Sequence, residues 1–117
     1  MIRGCDYVSL PVEDFDGAIR FYRDAVGLRL LFRIEERWAE FQVGDVRPAV
    51  YPREEGEGRG GEVAFLVEDL SREMSRLRSH GVAFPHGPEE FHLPTGSGRL
   101  ARFGDPSGNR LELVERK

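Results

Sequence analysis

The sequence predicts an α+β fold made of two tandem βαβββ modules. Three observations carry that prediction. With a shift of 55 positions, Leu10-Pro11-Val12-Glu13-Asp14-Phe15 falls on Phe65-Leu66-Val67-Glu68-Asp69-Leu70, so a Val-Glu-Asp triplet precedes a helical pattern twice. The two helical patterns also match, Ile19 falling on Met74 and Tyr22 on Leu77, and each stops at a glycine, Gly27 or Gly81. Strand-like runs follow each helix, and the last two are joined by Asp105-Pro106-Ser107-Gly108-Asn109, residue types that reverse a chain. A unit of about 50 residues buries too little surface to stand alone, so two of them are expected to pack together or on a second subunit.

The elements read off in order. Residues 7–12 alternate, with Val8, Leu10 and Val12 on one face and Tyr7, Ser9 and Pro11 on the other. Glu13 to Asp16 marks a helix start, because Asp14 or Asp16 can cap it and acidic groups suit the positive end of a helix. Phe15, Ala18, Ile19, Tyr22 and Val26 then share a helical face. Residues 28–34, 38–43 and 46–51 read as strands, with Gly44-Asp45 as a turn. Module one therefore spans about 4–52. The polar, glycine-rich stretch 53–61 reads as a linker, and it lacks the spacing of a phosphate-binding loop. Module two, about 62–115, has a strand at 62–67, a helix through Met74 and Leu77, an opening strand at 82–84, an irregular segment at 85–94, and strands ending at Phe103 and Val114.

The 117 residues are 39% hydrophobic and 32% charged, enough for a single domain. No apolar run is long enough to span a membrane, and the first residues lack the apolar core of a secretory signal. Cys5 is the only cysteine, so no internal disulfide forms. These features point to a cytoplasmic protein with no membrane partner. A net charge of -4 and no basic patch interleaved with aromatics argue against nucleic acid. All but one of the 17 basic residues are arginine, which we read as genomic composition.

The run Phe103-Gly104-Asp105-Pro106-Ser107-Gly108-Asn109-Arg110-Leu111-Glu112-Leu113 resembles the closing hairpin of the glyoxalase / bleomycin resistance / dioxygenase superfamily, also called the vicinal oxygen chelate superfamily. Val12-Glu13-Asp14-Phe15 and Ala18 to Leu28, with the aromatic pair Phe21-Tyr22 and the Val26-Gly27-Leu28 turn, resemble its opening. The resemblance implies a mixed sheet curled into a cup, a ligand or metal site inside that cup, and a homodimer.

In metal-bearing relatives four side chains converge, two from the first strands of the modules and two from the last. By that resemblance the positions here are Tyr7, Glu62, Ala49 and Glu112. Glu112, placed between Leu111 and Leu113, matches the family ligand; Glu62 can ligate; Tyr7 ligates only as a phenolate; and Ala49 cannot. His92 is a possible third ligand, and one divalent ion (Mn, Fe, Ni, Zn or Mg) is the implied cofactor. Glu112 and Glu62 are the candidate catalytic pair. They could hold a metal, meet a cationic ligand, or act as a general base. Tyr7, Trp38, Tyr51, Phe91, Arg99 and Phe103 are candidate ligand-binding residues.

Two functions follow from the resemblance. One is metal-assisted lyase, isomerase or dioxygenase-type chemistry on a small molecule. The alternative is a metal-free protein that sequesters a small molecule or drug, as the bleomycin resistance group does. A third possibility keeps the scaffold without chemistry.

Overall fold

The structure is a computed structural model describing residues 1–117. Its elements follow the order β1 (Val8–Val12), α1 (Phe15–Arg20), β2 (Arg29–Ile34), β3 (Trp38–Gln42), β4 (Pro48–Pro52), β5 (Glu62–Leu66), α2 (Leu70–Ser79), β6 (His86–Leu93), β7 (Gly96–Gly104) and β8 (Arg110–Arg116). The chain divides into two compact units. The first comprises residues 1–61 with 106–109, and the second 62–105 with 110–117. No helix is long and apolar enough to cross a membrane.

The repeated triplet has a local cause. Asp14 and Asp69 are N-caps: the Asp14 carboxylate accepts from the Gly17 amide at 3.0 Å, and that of Asp69 accepts from the Arg72 amide at 3.1 Å. Each cap fills an amide that the first helical turn leaves open. In the second unit the Glu115 carboxylate also accepts from the Leu70 amide at 2.9 Å. That bond, helped by Arg99, holds the Glu115 carboxyl below its ordinary pKa.

After Arg20 the first helix widens into a π-helical turn over Phe21–Val26. The Gly27 and Leu28 amides both return to the Tyr22 carbonyl, at 3.1 and 2.9 Å. Gly27 takes the left-handed conformation that ends the helix, with φ 91°. Phe15, Ala18, Ile19, Tyr22, Ala25 and Val26 are buried beneath this stretch. In the first unit Tyr22 meets Phe41 of β3 at 5.8 Å between ring centroids. The helix therefore covers the sheet face carrying Phe41, Ala39 and Val50. In the second unit Leu70, Met74 and Leu77 of α2 are buried, as are Ala101, Phe103, Leu111 and Leu113 of the sheet.

Each unit holds one four-stranded mixed sheet, ordered β1-β4-β3-β2 and β5-β8-β7-β6. The first and last strands of each unit run parallel, β1 with β4 and β5 with β8, and the remaining pairs are antiparallel. The expected curled, cupped sheet is not found. Both sheets are open, with a free edge at each end, β1 and β2 in one and β5 and β6 in the other. Four strands are too few to bring two edges together; small barrels close with about eight.

One region departs from the sequence pattern: residues 82–84, expected to open a strand, lie in none. The segment expected to be irregular forms β6, paired antiparallel with β7 from His86 opposite Arg102 to Leu93 opposite Gly96. It is an edge strand, exposed over nearly all its length. It therefore shows no apolar alternation to read.

Candidate functional site

The face of the first sheet away from α1 carries an aromatic cluster. Trp38 and Glu40 alternate with Ala39 and Phe41 along β3, so they point away from the helix. Tyr51 of β4 lies on the same side, because Ala49 stands opposite Glu40 in the β3–β4 register. Trp38 stacks on Tyr51, with ring centroids 6.1 Å apart and planes 19° from parallel. Tyr7, just ahead of β1, meets Trp38 edge-on at 5.3 Å. Such arrangements add attraction beyond the area they bury. The Tyr51 hydroxyl donates to Glu57 Oε2 at 2.6 Å. That bond pushes the phenol above its ordinary pKa, so it remains protonated at neutral pH.

Glu40 lies beneath this cluster and is buried, only 8% exposed. Its Oε2 accepts from Trp38 Nε1 at 2.7 Å, and Arg47 Nη1 stands 3.7 Å from its Oε1. Arg47 is tied more closely to Asp6, Nη2 donating to Oδ1 at 2.6 Å and Nε to the Asp6 carbonyl at 3.3 Å.

The corresponding face of the second sheet is charged. Glu112 of β8 stands directly opposite Arg102 of β7. Arg102 Nε donates to Glu112 Oε2 at 3.0 Å, and Nη1 donates to Glu89 of β6 at 3.0 Å. The Glu112 bond holds the guanidinium above its ordinary pKa, with Glu89 and Glu62 adding to the effect. Glu112 is 14% exposed at its side chain, whereas Glu62, at the start of β5, is exposed.

The superfamily model described as Glyoxalase/Bleomycin resistance protein/Dioxygenase superfamily matches residues 4–113. The chain belongs to that superfamily. Within it, the chain is 29% identical to the uncharacterized protein YraH of Bacillus subtilis, over 92% of this chain and 94% of that one. It is 26% identical to a lactoylglutathione lyase of Haemophilus influenzae, over 95% and 91%. Among solved structures, TnmS3, an antibiotic binding protein from Streptomyces sp. CB03234, superposes with a TM-score of 0.81 at 28% identity, covering 99% of this chain and 98% of that one.

Three of the six ligand-binding candidates, Tyr7, Trp38 and Tyr51, therefore meet in this superfamily member. The other three lie in the second unit. Phe103 is buried against Phe84, ring centroids 5.3 Å apart. Arg99 is paired with Glu115 at 3.2 Å, and Phe91 lies under the Arg116 guanidinium at 5.4 Å. His92 is exposed on β6, opposite Ser97.

No group of three or more His, Cys, Asp or Glu side chains is arranged to hold a metal ion. One oxygen of Glu112, Oε2, already accepts from the Arg102 guanidinium at 3.0 Å. A divalent cation there would have to displace Arg102 or bear its repulsion.

Glu40 is a buried carboxylate that is not among the residues singled out from the sequence. Its signal was the same one that singled out Glu112, a carboxylate between two apolar strand residues, here Ala39 and Phe41. The structure makes the two positions related. Glu40 opposes Ala49 as Arg102 opposes Glu112, and Ser9 pairs Ala49 as Ala64 pairs Glu112. With a shift of 55 carrying Ser9 to Ala64, Ala49 is the counterpart of Glu112, and Glu40 that of Arg102.

Proposed function

We propose that this superfamily member is a small-molecule binding protein, of the sequestering rather than the metal-assisted type, which holds an aromatic guest on Tyr7, Trp38 and Tyr51. The observation that carries this reading is the Trp38–Tyr51 stack with Tyr7 set edge-on beside it. Aromatic faces at a half-exposed surface offer apolar area and directional ring contacts to a flat guest. The antibiotic-binding function in the name of TnmS3 is in keeping with this reading.

The competing reading is metal-assisted lyase, isomerase or dioxygenase-type chemistry, with Glu112 and Glu62 as ligand and base and His92 as a further donor. The lactoylglutathione lyase relative is in its favour. The commitment of Glu112 to Arg102 weighs against it.

Two measurements decide between them. A panel of planar aromatic compounds is screened by thermal shift against the wild type and Trp38→Ala. A true guest at about a hundred times its Kd stabilises the protein by roughly 2.7 kcal/mol. That corresponds to a rise in Tm on the order of 10 °C, which Trp38→Ala should abolish. In parallel, metal content is measured after purification without chelator or histidine tag, for wild type and Glu112→Gln. About one metal per chain, lost in Glu112→Gln, together with no aromatic guest, would replace this proposal with the enzyme.

A further inference from the structure

We propose that Glu40 is the polar anchor of this aromatic site, and that it selects a planar guest carrying a cationic N–H donor at the ring's edge. The inference rests on the proposed function and adds the chemical class of the guest.

A buried carboxylate needs both its oxygens partnered. Trp38 Nε1 satisfies Oε2. Oε1 is shielded from solvent and accepts no hydrogen bond. Its nearest cation, Arg47 Nη1 at 3.7 Å, stands outside hydrogen-bond reach, and Arg47 Nη2 and Nε are given to Asp6. Around Arg47 there are thus two carboxylates, Glu40 and Asp6, for one guanidinium.

The second unit shows what a settled version of this position looks like. There the carboxylate of Glu112 faces Arg102 in register and is neutralised within the sheet. In the first unit the residue in register with Glu40 is Ala49, which has neither charge nor donor. The balancing donor for Oε1 has to come from elsewhere.

The position of Glu40 states what that donor should be attached to. Its carboxylate grips the nitrogen edge of the same indole that stacks on Tyr51 and meets Tyr7. A flat ring lying on Trp38 carries an edge substituent towards that carboxylate. An ammonium or amidinium-type N–H at that edge makes a charge-assisted bond to Oε1, releases Arg47 wholly to Asp6, and brings the local charge to balance. Tyr7 is 47% exposed and Arg47 half-exposed, so the approach to Oε1 runs past side chains that are not packed in the core.

The test uses two probes of like shape, aminoacridine, a planar cation at neutral pH, and acridone, which is neutral. Trp38 is the chain's single tryptophan, so quenching of its fluorescence is the spectroscopic signal of binding. Calorimetry supplies the affinities. The wild type should prefer aminoacridine by about tenfold or more. Glu40→Gln should lose that preference while keeping its affinity for acridone. Arg47→Met, which removes the competing internal cation, should bind aminoacridine more tightly. A preference that persists in Glu40→Gln, equal wild-type affinity for both probes, or weaker aminoacridine binding in Arg47→Met overturns the assignment while leaving the aromatic site standing. Quenching by neither probe overturns the aromatic site, and the assignment with it. If Glu40→Gln fails to fold by circular dichroism, the Arg47→Met result decides.

Discussion

Asn109 serves two backbone groups with one side chain. It is fully buried in the first unit, where Nδ2 donates to the Pro11 carbonyl and Oδ1 accepts from the Gly60 amide, both at 2.8 Å. Asn109→Ala leaves a donor and an acceptor without those partners and should cost about 2–4 kcal/mol. A drop in the urea midpoint at unchanged slope checks it; a loss below about 1 kcal/mol would mean water replaces the amide. From the sequence, Asn109 reads only as a turn residue, because its partners lie 49 and 98 positions away. Glu112 stands out in the sequence because it interrupts an apolar strand. Glu40 interrupts one in the same way, yet no family position draws the eye to it. Phe103 reads as a free aromatic until the register places it opposite Leu111, on the buried face with Ala101 and Leu113.

At the scale of elements, the caps were the clearest message in the chain. The Val-Glu-Asp triplet recurs because Asp14 and Asp69 perform one task at two helix starts. Asp14→Ala should destabilise the protein by about 1 kcal/mol, measured by thermal or urea unfolding. An unchanged midpoint would assign the start of α1 to packing alone. Gly17 supports this cap from the other side, since a Cβ there would collide with the Asp14 carboxylate. Elements buried on one face, such as α2 with Leu70, Met74 and Leu77, were legible from their period. β6 was not: water reaches both its faces, and its pairing with β7 is a backbone property that side-chain pattern does not record.

At the scale of the molecule, the repeat located both βαβββ units, because duplicated burial leaves duplicated periodicity. The curl of the sheets came from family resemblance and from no residue pattern, and the open sheets correct it. The register also shows what duplication hides. Equivalent positions carry opposite charges, Glu40 against Arg102, while Ala49 stands where Glu112 stands. Two units of the same topology thus offer chemically unlike surfaces, one aromatic over a carboxylate and one an ion-paired strip.

The stretch between β4 and β5 contains two arginines that a protease would treat differently. The Arg53 amide donates to the Val12 carbonyl at 2.8 Å, and its guanidinium holds Glu13 at 2.7 Å and the Ser107 carbonyl at 2.9 Å. Arg59 is exposed, and the bond that follows it is tied by one contact, the Gly60 amide donating to Asn109 Oδ1. Trypsin must draw several residues of extended chain into its cleft, so it cuts first where fewer contacts have to open. Within this stretch the native protein should be nicked after Arg59 before Arg53, as mass spectrometry of a brief digest would show. First cleavage after Arg53 would mean that its three anchors open more readily than the glycine-rich loop beside them.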